Sequence, residues 1–400
     1  MILNRYISKF FIVLVFLVII QLIFFNILSL ASEVSPTNNS TENLQIYSES
    51  AILIEEKTGK VLYEKGMHDR KYPASTTKVL TAILAIENCN LSDTATASYE
   101  AVNSIKSGYT KANIQPGETF TIEELLDVLI LQSANEAANV IAEHISGSVS
   151  EFANLMNQKA KEIGCTDSNF VNANGEHNEN HYSSAYDLAM ITKYSMQNDT
   201  FRNLITKLEC KLPNTEYWTE EDIEEHGERI FKNTNNLLIK DSRYYYKYAI
   251  GGKAGFTTPA KNCLISIANK DGFETIAVVL HAETTADGLS ARYIDTINLF
   301  EYGFNNYNLN EILKEYNMES DSSARSGYRT VPIDDTNSEN IDSNIENQDS
   351  NNINILKIII GIVVIVLITF YFIIKMIVKK RKNDMRKRLY DFKVNYYGKK

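Results

Sequence analysis

The chain has 400 residues, 44% of them hydrophobic and 22% charged, a composition ordinary for a globular protein and enough for one large domain with accessory segments. The net charge of −10 is unevenly spread: from Lys375 onward eleven Lys and Arg face two acids, a local +9 that leaves −19 on the rest. An acidic body excludes nucleic acid as a partner, and the basic end needs no ligand beyond anionic membrane lipid. Four cysteines, at 89, 165, 210 and 263, show no Cys-x-x-Cys pairing and no His at zinc-finger spacing, so no structural metal is expected; disulfides and buried thiols both stay open.

In chain order, residues 1–31 carry Arg5 and Lys9, an apolar run from Phe10 to Leu30 and the small-x-small pattern Ser29-Leu30-Ala31, which reads as a signal peptide or an uncleaved anchor. Residues 32–43 form a polar spacer. Order is expected from 44 to 317. Ala51–Ile54, the turn Lys57-Thr58-Gly59-Lys60 and Val61–Tyr63 read as a hairpin. Pro73 and Ser75-Thr76-Thr77 open an apolar-periodic helix through Val79, Leu80, Ile83, Leu84 and Ile86. Thr121-Ile122-Glu123-Glu124 starts another with a capping-box pattern, and helices over about 135–145 and 152–163 follow.

Strand character returns at 248–255, 263–269 and 275–281, with Lys270-Asp271-Gly272 as the turn between the last two, and a helix over about 289–302 closes the domain. A hairpin, then helices, then a meander predict an α+β domain in which N- and C-terminal strands share one antiparallel sheet around a mostly helical insert. Residues 318–354, rich in Asp, Ser and Asn, read as a disordered acidic stalk. Residues 355–378 hold a run from Ile358 to Ile374 long enough for a transmembrane helix, and the basic tail 379–400 places its far side in the cytoplasm.

Three motifs carry chemistry. Ser75-Thr76-Thr77-Lys78 sets a hydroxyl and an amine three residues apart at a helix start, side by side on one face. A serine hydroxyl needs a base, and a lysine serves if burial and nearby cations lower its pKa. Ser133-Ala134-Asn135 breaks one apolar helix where the next begins, offering a hydroxyl and an amide. Gly251-Gly252-Lys253-Ala254-Gly255-Phe256 puts a second lysine in a strand whose small residues let a ligand lie against the backbone.

The order Ser-x-x-Lys, Ser-x-Asn, Lys-small-Gly, with the surroundings Tyr72-Pro73-Ala74, Glu136-Ala137-Ala138, Asn169–Asn172 with Gly175, His181–Ala189 and Asn233–Leu238, resembles the low-molecular-weight penicillin-binding proteins that are serine-type D-alanyl-D-alanine carboxypeptidases. The resemblance covers about residues 44–307. It implies a β-lactamase-like transpeptidase fold, no cofactor, a peptidoglycan stem peptide ending in D-Ala-D-Ala as substrate and covalent inhibition by β-lactams. It further implies Ser75 as nucleophile, Lys78 as its base and Ser133 as proton relay, with Asn135 and Lys253 holding the substrate. The backbone N–H groups of Ser75 and Phe256, beside Gly255, would form the oxyanion hole, and Arg292 would meet the terminal carboxylate. All of this requires the Lys253 strand to face the start of the Ser75 helix.

One departure stands out. The family usually has threonine between the lysine and glycine of the third motif, and Ala254 has no hydroxyl to give the carboxylate, a loss of about 1.5–3 kcal/mol. Reduced activity, or a sensor that is acylated without turning over, is the alternative this favours; a β-lactamase would need a Glu-x-x-Leu-Asn segment, which the chain lacks. His177 and His181 fall in an Asn-rich loop without His-Glu-x-x-His, so a zinc site is not expected. The tyrosines from 244 to 248 read as packing and rim, and 221–225 as a solvated loop or helix face.

Overall fold

Strand β1 (Ser50–Glu55) is buried at all six positions, yet its side chains divide by parity. Ile52 and Ile54 enter one apolar cluster, Ala51 and Leu53 another on the opposite face. A strand covered on both faces reads as a continuous apolar run, which is why its sequence shows no alternation. The computed structural model describes residues 44–286 and 288–318, together with Lys375. The signal or anchor, spacer, stalk, span and basic tail anticipated from the sequence lie outside these residues, apart from Met318 and Lys375. Among the described residues no helix is long and apolar enough to cross a membrane.

β1 pairs antiparallel with β2 (Val61–Lys65) on one side and with β9 (Phe273–Ala282) on the other. β8 (Lys261–Lys270) and β7 (Ala249–Thr257) complete a five-stranded antiparallel sheet in the order β2-β1-β9-β8-β7. The expected sharing of one sheet by chain-terminal strands is thus observed. The β8–β9 connection turns through Asp271 and Gly272, both left-handed at φ 53° and 87°, as a two-residue hairpin demands.

The insert between β2 and β7 is mostly helical. Its first turn, Ala74–Thr77, is a 3-10 turn rather than the α-helix the periodicity predicts, and α1 (Lys78–Asn88) follows directly. α2 (Tyr99–Asn103), α3 (Ile122–Ile130), α4 (Asn135–Ser146), α5 (Val149–Ile163), α6 (Ala185–Ser195) and α7 (Asp199–Ile205) pack against the Ile52 and Ile54 face. The capping box of α3 forms as read: Thr121 Oγ1 accepts from the Glu124 N–H, and Glu124 Oε2 accepts from the Thr121 N–H at 2.8 Å.

Two short ribbons, β3 (Thr94–Thr96) with β4 (Thr119–Thr121) and β5 (Glu209–Lys211) with β6 (Ile230–Lys232), were not legible, nor were α2, α6 and α7. The acidic stretch at 221–225 falls in α8 (Glu220–His226). On the opposite sheet face lie α9 (Ala291–Asn306) and α10 (Leu309–Glu315). The tyrosines pack there: Tyr246 stacks with Phe300 at 5.7 Å and Tyr244 with Tyr293 at 4.7 Å. All four cysteines are free thiols.

Candidate active site

Ser75 sits in the 3-10 turn, where residues three apart eclipse each other, so the hydroxyl and the Lys78 amine meet more directly than on an α-helix. Lys78 Nζ is 3.1 Å from Ser75 Oγ. The same nitrogen donates to Asn135 Oδ1 at 2.7 Å and to the Asn174 carbonyl. Both of those partners are amide oxygens that can only accept. A neutral Lys78 amine therefore spends its two hydrogens on them and turns its lone pair to the Ser75 hydroxyl. That is the geometry of a general base.

Electrostatics favours the neutral form. Lys78 is fully buried, and burial, then repulsion from Lys253, holds its pKa well below the usual lysine range, with Glu136 opposing more weakly. Lys253 is buried as well, and burial followed by the Arg292 charge pushes it down to about 7. Among the described residues it has no carboxylate partner and donates only to the Ala254 carbonyl, at 3.0 Å.

Parity positions the third motif. Lys253 and Gly255 pair with Ile265 and Cys263, which face the helical side, whereas Ala254 pairs with Leu264 and faces α9. At Gly255 the strand lies against the Ser75 turn: a Cβ there would stand 2.8 Å from the Ser75 nitrogen and 3.1 Å from Ala74 Cβ. The β7 strand thus faces the start of the Ser75 turn. Phe256 is next to it and is 59% exposed.

Asn135 opens α4 and is fixed by the Thr110 carbonyl, which accepts from both its backbone N–H and its side-chain Nδ2 at 3.1 Å. Ser133 has φ 65°, a left-handed conformation that costs a non-glycine residue about 1–2 kcal/mol and is retained where the surroundings enforce it. Its hydroxyl makes no hydrogen bond among the described residues, and it stands two positions before Asn135 in the chain. Arg292, from the first turn of α9, donates to the Gly255 carbonyl at 3.3 Å and lies over the Tyr293 ring. Its Nε is buried without a hydrogen-bond partner.

Sequence reasoning gave no role to three contributors, although Gly175 and Glu136 stand among the residues that carry the resemblance. The Asn174 carbonyl is a backbone group and leaves no residue-type signal. Gly175, at φ 82°, packs so close to the turn that a Cβ would fall 1.9 Å from the Ala74 carbonyl oxygen. Glu136 is buried with Oε1 accepting from the Ala112 and Ile114 N–H groups, and burial raises its pKa. His177 and His181 do lie in a loop, and no group of three or more potential metal ligands occurs among the described residues.

The D-alanyl-D-alanine carboxypeptidase DacF of Bacillus subtilis is 35% identical over 280 residues, 68% of this chain and 66% of its own length. A D-alanyl-D-alanine carboxypeptidase of Streptomyces is 30% identical over 260 residues, 62% of this chain and 84% of the relative. Among solved structures, the Streptomyces DD-transpeptidase is similar with a TM-score of 0.58 at 28% identity, covering 65% of this chain and 98% of that one. A D-alanyl-D-alanine carboxypeptidase from Mycobacterium tuberculosis gives 0.60 at 25%, with 69% and 98% covered. The chain therefore spans just under two thirds of DacF and nearly the whole of the two solved structures. The family model for D-alanyl-D-alanine carboxypeptidase matches residues 37–284. That match runs from before β1 to beyond β9 and takes in every residue that meets Lys78: the chain belongs to the D-alanyl-D-alanine carboxypeptidase family of serine peptidases.

Proposed function

We propose that this protein removes the terminal D-alanine from peptidoglycan stem pentapeptides through an acyl-enzyme on Ser75. The Ser75 oxygen attacks the carbonyl between the two D-alanines while its proton passes to the Lys78 lone pair. The oxyanion is held by the N–H groups of Ser75 and Phe256. The C–N bond then breaks, and the leaving amine takes a proton by way of Ser133. Water attacks the ester, the shortened peptide departs and Ser75 regains its proton. Asn135 and Lys253 hold the peptide, and Arg292 balances the terminal carboxylate. A β-lactam amide would enter the same first step and stall as an ester.

The observation that carries this reading is the pair of carbonyl acceptors on Lys78, which in the neutral amine that burial favours take both hydrogens and leave the lone pair for Ser75. Release of D-alanine from diacetyl-Lys-D-Ala-D-Ala tests it. Turnover by the wild-type protein and none by Ser75→Ala is expected; equal release by the two contradicts it.

The proposal extends to place. The apolar runs 10–30 and 358–374, with basic residues before the first and after the second, support a catalytic domain outside the cell, a stalk and a membrane-spanning helix contacting lipid, with a cytoplasmic tail. Protease added to intact cells should remove the catalytic domain and leave a tail epitope protected. A tail cleaved as readily as the domain contradicts that arrangement.

A further inference from the structure

His181 belongs to no metal group and takes no step in the reaction above, yet it is only 2% exposed and hydrogen-bonded to the nucleophile's turn. Its Nδ1 accepts the Val171 N–H at 3.1 Å. In the neutral ring the proton therefore sits on Nε2, 2.9 Å from Thr77 Oγ1, and is donated to it. Thr77 passes its own hydroxyl hydrogen to the Ala74 carbonyl at 2.8 Å. Burial pushes the imidazole down to about 3, which keeps the ring neutral and the chain of donors pointing one way.

The carbonyl at the end of this chain matters because of the peptide unit it belongs to. The Ala74–Ser75 peptide is planar and trans, so its C=O and N–H point in opposite directions and turn together. A grip on the Ala74 oxygen thus sets the direction of the Ser75 N–H. That N–H lies against the Gly255 backbone and is one of the two donors assigned to the oxyanion. Ala74 itself has φ 49°, a conformation costing a non-glycine residue about 1–2 kcal/mol, which the surroundings must enforce. Gly175 blocks the carbonyl from one side, and the Thr77 hydroxyl ties it down.

We propose that His181 and Thr77 are positioning residues that aim the Ser75 N–H at the developing oxyanion. The proposal rests on the acyl-enzyme reading above. Its test uses the full-length protein carrying His181→Phe, His181→Gln, Thr77→Val or the His181→Phe/Thr77→Val pair, with active sites counted by covalent β-lactam labelling. For each, kcat and KM are measured with the D-Ala-D-Ala peptide. The affinity for a peptide boronic acid is measured beside them, because its tetrahedral adduct on Ser75 offers an oxygen to the same donors.

Per active site, His181→Phe and Thr77→Val should each lower kcat and boronate affinity together by about 10- to 100-fold, with KM within about twofold of wild type. His181→Gln, which keeps an N–H donor, should recover most of the loss. The double variant should lose no more than either single one, because both cut the same chain. Unchanged kcat and boronate affinity per active site in Thr77→Val overturns the proposal, as does a Gln variant no better than Phe. A wild-type protein that forms no adduct on Ser75 would instead overturn the acyl-enzyme reading itself.

Discussion

Placing two lysines in the interior carries a cost that depends on pH. Lys253 has a pKa of about 7 in the folded protein against an ordinary 10.5, so between those values the unfolded chain binds a proton that the folded one does not. Stability from this group is therefore greatest above pH 10.5, falls as pH drops toward 7 and is lowest below it. Lys253→Met should raise the urea midpoint over wild type most at pH 6, with the gap closing toward pH 10.5. A gap that does not change with pH contradicts the account. Ala254 makes a second residue-scale test. The residue is 8% exposed and lies on the sheet face that carries α9, from whose first turn Arg292 reaches the Gly255 carbonyl, so a hydroxyl here would stand on the Arg292 side of the strand. Ala254→Thr should raise kcat/KM for the D-Ala-D-Ala peptide by about tenfold or more, the value of one hydrogen bond to a charged group. Turnover equal to wild type would show that the missing hydroxyl has no functional consequence.

The elements around the site work by close approach more than by side-chain chemistry. Gly175→Ala forces a methyl onto the Ala74 carbonyl, so the turn must move; β-lactam acylation of Ser75 should slow by about 100-fold, as expected for a displacement on the order of 1 Å. Gly147→Ala is the control. It has a similar φ of 77° but open space around it, and it should lose stability while keeping the acylation rate. Equal acylation by both variants contradicts the packing argument. The same contrast explains what the sequence could reveal. Ser75 with Lys78, and Thr121 with Glu124, are local pairs whose spacing on a turn dictates their contact, so they were legible. The Asn174 carbonyl, the His181 ring and the Gly175 backbone reach the turn from about a hundred residues away, and no local pattern encodes such contacts. The 3-10 geometry of Ala74–Thr77 was likewise hidden, for that turn is closed in on by Gly175 and Gly255, both far along the chain.

Over the whole molecule, the sheet joins both ends of the domain while buried ion pairs hold the excursions around the site. Arg229, preceding β6, grips Glu118 through both guanidinium ends at 2.8 and 2.9 Å, and the pair is almost wholly buried between the Phe120 and Trp218 rings. It ties the 208–233 excursion to the loop that leads into β4. Removing one partner of such a pair strands a buried charge, so Glu118→Ala should cost about 3–5 kcal/mol of unfolding free energy in urea. Replacing both partners, with Glu118→Leu and Arg229→Met, should recover most of it. A Glu118→Ala variant as stable as wild type contradicts this role. The sheet itself was legible as N- and C-terminal strands sharing one antiparallel sheet, though not in its strand order. The ribbons β3–β4 and β5–β6 were not, because three-residue strands carry too few positions to show alternation.

The proposed mechanism depends on Ser75 being the one nucleophile served by Lys78. Intact-mass and peptide mass spectrometry of the purified protein after exposure to a β-lactam tests this most directly. One adduct per chain, mapped to Ser75 and absent in both Ser75→Ala and Lys78→Ala, is the predicted result. An adduct on another residue, or full labelling of Lys78→Ala at the wild-type rate, would contradict it.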